Sequence, residues 1–181
     1  QPQSSIIIGE NLCRDWAGGG TNTTTYNVIM GWGCCMESDG GANSAENINN
    51  TGNVIIGNEA ARHAGGRNID NNVAIGQWAN YSMFGDEQNS SSGNVAIGYQ
   101  SGHWHGWSQG MPRASFSNNI DIGKNAHSPT WGSSNECTLG DSNITALRCN
   151  QTTITGLSDR RDKSNIEDLP DEAGMAFIKT L

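Results

Sequence analysis

Short apolar runs closed by a glycine recur along the chain: Ser5-Ile6-Ile7-Ile8-Gly9, Asn27-Val28-Ile29-Met30-Gly31, Asn53-Val54-Ile55-Ile56-Gly57, Asn72-Val73-Ala74-Ile75-Gly76, Asn94-Val95-Ala96-Ile97-Gly98, Asn119-Ile120-Asp121-Ile122-Gly123 and, more loosely, Glu136-Cys137-Thr138-Leu139-Gly140. The closing glycines lie 22, 26, 19, 22, 25 and 17 residues apart, a spacing that marks a repeat architecture. Each run reads as a short strand. Its first and third residues, such as Val95 and Ile97, share one face, and the second points the other way. The second position varies among Ile, Ala, Asp and Thr, so it is expected to face outward or against a neighbour. Asp121 carries that expectation, because a carboxylate between Ile120 and Ile122 is cheap on an outer face and costly in a core. The glycine ends the strand in a conformation that side chains disfavour, and the asparagine ahead of the run suits a turn.

A small residue often follows the glycine, as at Ala60, Ala79, Ser101 and Ala126. Between repeats lie insertions rich in Asn, Ser, Thr and Gly, among them Gly40 to Thr51, Ser82 to Ser92 and Gly106 to Asn118. Their varied length places them at the periphery, where loops tolerate change and carry recognition. The phrasing N-[VI]-x-[IM]-G-x-x-[AS] is similar to the head repeats of trimeric autotransporter adhesins and to phage fibre shafts. The expected fold is all-β: an elongated homotrimeric interwound β-helix or β-roll fibre with short strands and long loops, in which Val and Ile stack toward a common axis. A monomeric β-solenoid would carry nearly the same pattern.

Composition bears on that choice. Of 181 residues only 34% are hydrophobic and 24 are Gly, a poor supply for the core of one ordinary domain, so partner chains are expected to complete it. The net charge of -8 argues against nucleic-acid binding, which needs clustered Lys and Arg. No apolar run is long enough for a membrane helix, so no membrane insertion is expected. Cys13, Cys34, Cys35, Cys137 and Cys149 are odd in number and lack CxxC spacing, which favours buried free thiols over a disulfide framework or a zinc site. On a strand, the adjacent Cys34 and Cys35 would point to opposite faces, so at most one could reach a shared core.

The C-terminal part reads differently. The stretch Ser158-Asp159-Arg160-Arg161-Asp162-Lys163-Ser164-Asn165-Ile166, with Glu167-Asp168-Leu169-Pro170 and Phe177-Ile178-Lys179-Thr180-Leu181 after it and Ile144 to Cys149 and Thr153 to Leu157 before it, resembles the opening of an endosialidase-type intramolecular chaperone, the self-cleaving C-terminal domain of phage tail fibres and tailspikes. The resemblance implies three chains brought together by the chaperone and a cut between Leu157 and Ser158, with Ser158 as nucleophile and Lys163 as its base. Such chemistry requires a neighbour to take the hydroxyl proton, and a lysine can do so once desolvation lowers its pKa. Such a domain runs on well beyond the length seen here, so the sequence is expected to hold only its first segment. Asp168 as cap, Pro170 in the first turn, and Ala173, Ala176, Phe177 and Leu181 on one face predict a short C-terminal helix. The expected division is thus a trimeric β fibre over 1–140, a connecting β segment over 141–157 and the start of the chaperone over 158–181.

Further candidate chemistry sits in Gly102-His103-Trp104-His105-Gly106-Trp107. On a strand, His103 and His105 point the same way, so three chains would present six imidazoles around an axis, enough for an octahedral transition-metal ion, although no cofactor is required. Trp104 and Trp107 could instead stack on a sugar ring, and Trp16, Trp32, Trp78, Tyr81 and Trp131 offer the same kind of surface. The functional expectation is a virion tail-fibre protein, extracellular, attached to other tail proteins and binding a bacterial surface glycan or protein. A bacterial trimeric surface adhesin and a polysaccharide-degrading tailspike are the alternatives. No substrate-directed activity is expected, and single-turnover self-cleavage at Leu157-Ser158 is expected only where the full chaperone domain is present.

Overall fold

A computed structural model describes residues 4–12, 23–35, 49–62, 69–81, 91–102, 116–130 and 132–150. Every regular element among them is a strand: β1 (Ile6–Glu10), β2 (Thr23–Thr25), β3 (Val28–Trp32), β4 (Asn49–Thr51), β5 (Val54–Asn58), β6 (Ile69–Asp70), β7 (Val73–Ile75), β8 (Ser91–Ser92), β9 (Val95–Ile97), β10 (Ile120–Ile122) and β11 (Cys137–Leu139). The described residues are therefore all-β. The predicted C-terminal helix and the Ser158 segment lie outside them. The chain divides into two compact units, Gln1–Thr145 and Ala146–Leu181, and the first holds all of these strands.

The repeats stack in register. A seven-stranded parallel sheet runs β1-β3-β5-β7-β9-β10-β11, so every repeat supplies one rung. Val28 sits beside Val54, Val54 beside Val73, Val73 beside Val95 and Val95 beside Ile120. A second wall is built from the pairs β2-β4 and β6-β8 and is carried on by backbone bonds from Asn118 to Ser92 (3.0 Å) and from Asn135 to Ser117 (3.0 Å). Because β3, β5, β7, β9 and β10 each have both neighbours from their own chain, this sheet has no free edge along its length for strands of another chain to enter. All of these strand pairings are made within the one chain.

The core between the walls reverses the expected facing. The second residue of the inner runs is the buried one: Ile29, Ile55, Ala74 and Ala96 are shielded from solvent and Asp121 is only 7% exposed, whereas Ile7 in the first run is exposed and Thr138 in the last is half-buried. The flanking Val and Ile point away from the chain's own core, half-buried in the middle rungs and exposed at Ile6, Ile8, Ile97, Ile120, Ile122 and Leu139. The sequence argument took variability at the second position as a sign of exposure. The space between two walls a few residues wide instead admits one small or slender side chain per rung, and Ala, Ile, Thr or even Asp meets that demand. The small residues noted after the glycine, Ala60, Ala79, Ser101 and Ala126, are buried in the turn, as is Cys34.

Two polar devices hold the coils in register. Asn27, Asn53, Asn72, Asn94 and Asn119 form a buried ladder. The Nδ2 of Asn53, Asn72 and Asn94 each donates to the Oδ1 of the previous rung's asparagine at 2.9–3.1 Å. The same oxygens accept the next rung's backbone N–H, and each Nδ2 also reaches a carbonyl of the second wall, for example Asn53 to Ile69 at 2.7 Å and Asn72 to Ser91 at 2.9 Å. This satisfies buried amides without water. The second device is the glycine column, in which Gly98 has φ +132 and a Cβ added there would lie 2.6 Å from the carbonyl oxygen of Gly123.

The cysteines meet the expectation of buried free thiols at Cys34 and Cys35 and depart from it elsewhere. Cys34 and Cys35 are both buried, because they occupy a turn in which Cys35 has φ 53, not a strand with alternating faces. The Cys34 thiol donates to the carbonyl of Gly57 at 3.0 Å. Cys137 and Cys149 are exposed rather than buried, and none of these four is in a disulfide. Cys13 lies outside the described residues.

Candidate functional site

Three features of the first unit could serve function. The largest is the outward face of the seven-stranded sheet. Parallel, in-register pairing sets like residues above one another, so two apolar columns run along it: Ile6, Val28, Val54, Val73, Val95 and Ile120 in one, and Ile8, Met30, Ile56, Ile75, Ile97, Ile122 and Leu139 in the other. Exposed apolar patches of this continuity mark interaction surfaces.

The second feature is a polar niche where the core column changes character. Asp121 follows Ala74 and Ala96 in the column and is succeeded by Thr138. Its Oδ1 is buried without a hydrogen-bond partner, as is the Oγ of Ser128, while the Oγ of Ser101 donates to the Asp121 carbonyl at 2.5 Å. A small cavity lined by Asp121, His127, Ser128, Asn119 and Ser133 adjoins them. Burial raises the Asp121 carboxyl above the usual carboxylate range. A hydrogen bond from Thr138 and the charge of His127 work against that rise, and Glu136 adds slightly to it. Near the end of the stack, Asp141 is held below the usual range by hydrogen bonds from the backbone and side chain of Asn143.

The third feature is an aromatic patch over the turns that follow β5, β7 and β9. Backbone bonds from Glu59 to Trp32 (2.8 Å), Trp78 to Asn58 (3.0 Å) and Gln100 to Gln77 (3.0 Å) continue the rungs past the glycines. Asn58, Gln77 and Tyr99 are thereby stacked one place after the glycine, with Glu59, Trp78 and Gln100 beside them. The indole Nε1 of Trp78 donates to Glu59 Oε2 at 3.2 Å, and that oxygen also pairs with Arg62 at 2.7 Å. Trp78 meets Tyr99 at 5.6 Å between centroids and Tyr81 edge-on at 6.4 Å, and the Arg62 guanidinium lies 6.0 Å from the Tyr81 ring.

Of the residues singled out from sequence, Trp78 and Tyr81 are brought together here, and Trp32 is exposed on the rung before Asn58. Glu59, Arg62 and Tyr99 were not singled out. Aligning the repeats on their glycines would have placed Tyr99 and Trp78 on adjacent rungs. The cleavage residues Leu157, Ser158 and Lys163, the metal candidates His103 and His105, and Trp104 and Trp107 all lie outside the described residues. Among the described residues no group of three or more His, Cys, Asp or Glu could hold a metal ion, and no helix is long and apolar enough to cross a membrane. No protein-family model matches the chain, no curated protein matches its sequence and no solved structure matches its fold.

Proposed function

We propose that this chain is part of the receptor-binding region of a homotrimeric phage tail fibre, which attaches the virion to a bacterial surface and is assembled by a self-cleaving C-terminal chaperone. The observation that carries the reading is the pair of Val and Ile columns on the outward face of the sheet. A single roll leaves this face in water, and three rolls set side by side about an axis would cover it, each keeping its own strand pairing. Association by faces instead of interwound strands also suits a core that each chain has already closed. The repeats suit a bacterial trimeric adhesin equally, and the Ser158 to Ile166 stretch is what favours the fibre. An axial transition metal on His103 and His105 belongs to the same proposal, and its signature is one metal ion per three chains in elemental analysis.

Sedimentation analysis tests the assembly. The protein is expected at three times the chain mass. Ile75→Asp, on the outward face, is expected to give folded monomers with an unchanged far-ultraviolet dichroism spectrum, whereas Ile55→Asp, in the chain's own core, is expected to unfold the roll. A wild-type protein that sediments as a well-folded monomer overturns the proposal.

A further inference from the structure

We infer that the patch formed by Asn58, Glu59, Gln77, Trp78 and Tyr99 is a saccharide-binding site for uncharged sugar residues; the inference rests on the attachment role proposed above and names the ligand class and the surface that role would use. A sugar ring presents a flat face of C–H groups and an edge of hydroxyls that both donate and accept. Binding it requires an aromatic plane beside planar groups that can also do both. Asn58 and Gln77 carry primary amides, each with two donors and an acceptor oxygen, on consecutive rungs. Both are exposed, and the single hydrogen bond between them is long, 3.4 Å from Gln77 Nε2 to Asn58 Oδ1. Tyr99, on the next rung, is 38% exposed and stands against Trp78.

The rings of the patch are held in place by their neighbours. The indole N–H of Trp78 is tied to Glu59, and its backbone, at φ 59, takes the same left-handed turn as Glu59 and Gln100 at the matching place on their rungs. Glu59 is fixed in turn by Arg62 at 2.7 Å, so the two charges cancel and neither is presented to a ligand as an unpaired group. Fixing aromatic rings before binding removes ordering cost from the binding step. Rungs about 4.8 Å apart place Asn58 two steps from Tyr99, a distance that suits a disaccharide lying along the stack. The chemistry points to sugar hydroxyls, not to a protein strand, because the strands beneath the patch, β5, β7 and β9, are each already paired on both sides.

The test is binding of the full chain to an array of immobilised bacterial O-antigen and capsular polysaccharides, alongside adsorption to intact bacteria of the same strains. The wild type is expected to bind at least one polysaccharide, and Tyr99→Ala and Gln77→Ala are each expected to weaken that binding at least tenfold, with sedimentation and dichroism unchanged. Undiminished binding by both variants overturns this site and leaves the attachment role standing. Adsorption to bacteria that is lost on protease treatment of the cells, with no polysaccharide bound, also overturns the site and assigns the receptor to protein. Conversion of both variants to monomers overturns it by placing the patch in the contact between chains. Failure to bind either polysaccharide or cells overturns the attachment role as well.

Discussion

At the scale of single residues, the ladder asparagines and Asp121 show opposite treatments of a buried polar group. Each ladder asparagine has its donors and acceptor used, so removing one strands several partners at once. Asn72→Ala deprives the backbone N–H of Asn94 and the carbonyl of Ser91 of their partner and is expected to cost on the order of 3 kcal/mol in denaturant unfolding. Asp121, by contrast, buries a carboxylate oxygen with no partner. Its folded carboxyl keeps its proton to higher pH than in the unfolded chain, so within that window the folded state binds more protons and stability falls as pH rises. Asp121→Asn is therefore expected to raise the melting temperature at pH 7 and to leave it little changed at a pH below the ordinary carboxyl range, which paired thermal scans would show. A variant no more stable than the wild type at pH 7 would mean that the carboxylate is satisfied there.

At the scale of elements, the strands, their glycine ends and the small residues after them were legible from sequence because each repeats in a fixed frame, and repetition converts a weak local preference into a strong one. The facing was not legible. Alternation says which residues share a side but not which side is covered, and the usual rule that apolar means inward fails when a second apolar surface awaits a partner. Val95 and Ile97 face away from the chain's own core, while Ala96 is buried within it. Cys34 and Cys35 misled for a related reason: alternation was applied to a turn. Trp78 and Tyr81 were legible as aromatics suited to a sugar, but Glu59 and Tyr99 lie far from them in sequence and join them only once the rungs are stacked. The glycine column makes the sharpest prediction at this scale. Gly98→Ala sets a methyl group against the backbone of Gly123 at a φ that alanine avoids, and a loss of at least about 3 kcal/mol is expected by chemical denaturation. Ser101→Ala, one turn on, removes only the bond to the Asp121 carbonyl and is expected to cost about 1 kcal/mol.

At the scale of the whole molecule, the proposed life of the protein has two stages, assembly and release, and they draw on different residues. A chain extended through the complete chaperone is expected to yield two fragments parted between Leu157 and Ser158, identified by mass spectrometry of the new N-terminus. Ser158→Ala and Lys163→Ala are each expected to leave one full-length chain that still sediments as a trimer. Cleavage at the same bond in Ser158→Ala would assign the cut to an outside protease and remove Ser158 from the chemistry.

The asparagine ladder has a consequence for how such a protein can change over generations. Asn53, Asn72 and Asn94 each bind the asparagine before them and a carbonyl of their own coil, so the rule that joins two coils is the same at these three joints. A segment that begins at one ladder asparagine and ends just before the next, such as Asn72 to Gly93, is a cassette with matching ends. Copying it would add one rung of about 4.8 Å, and exchanging it would replace the residues between two joints and leave the joints on either side intact. A lineage could in this way trade the stretches between joints by recombination without having to rediscover how to fold.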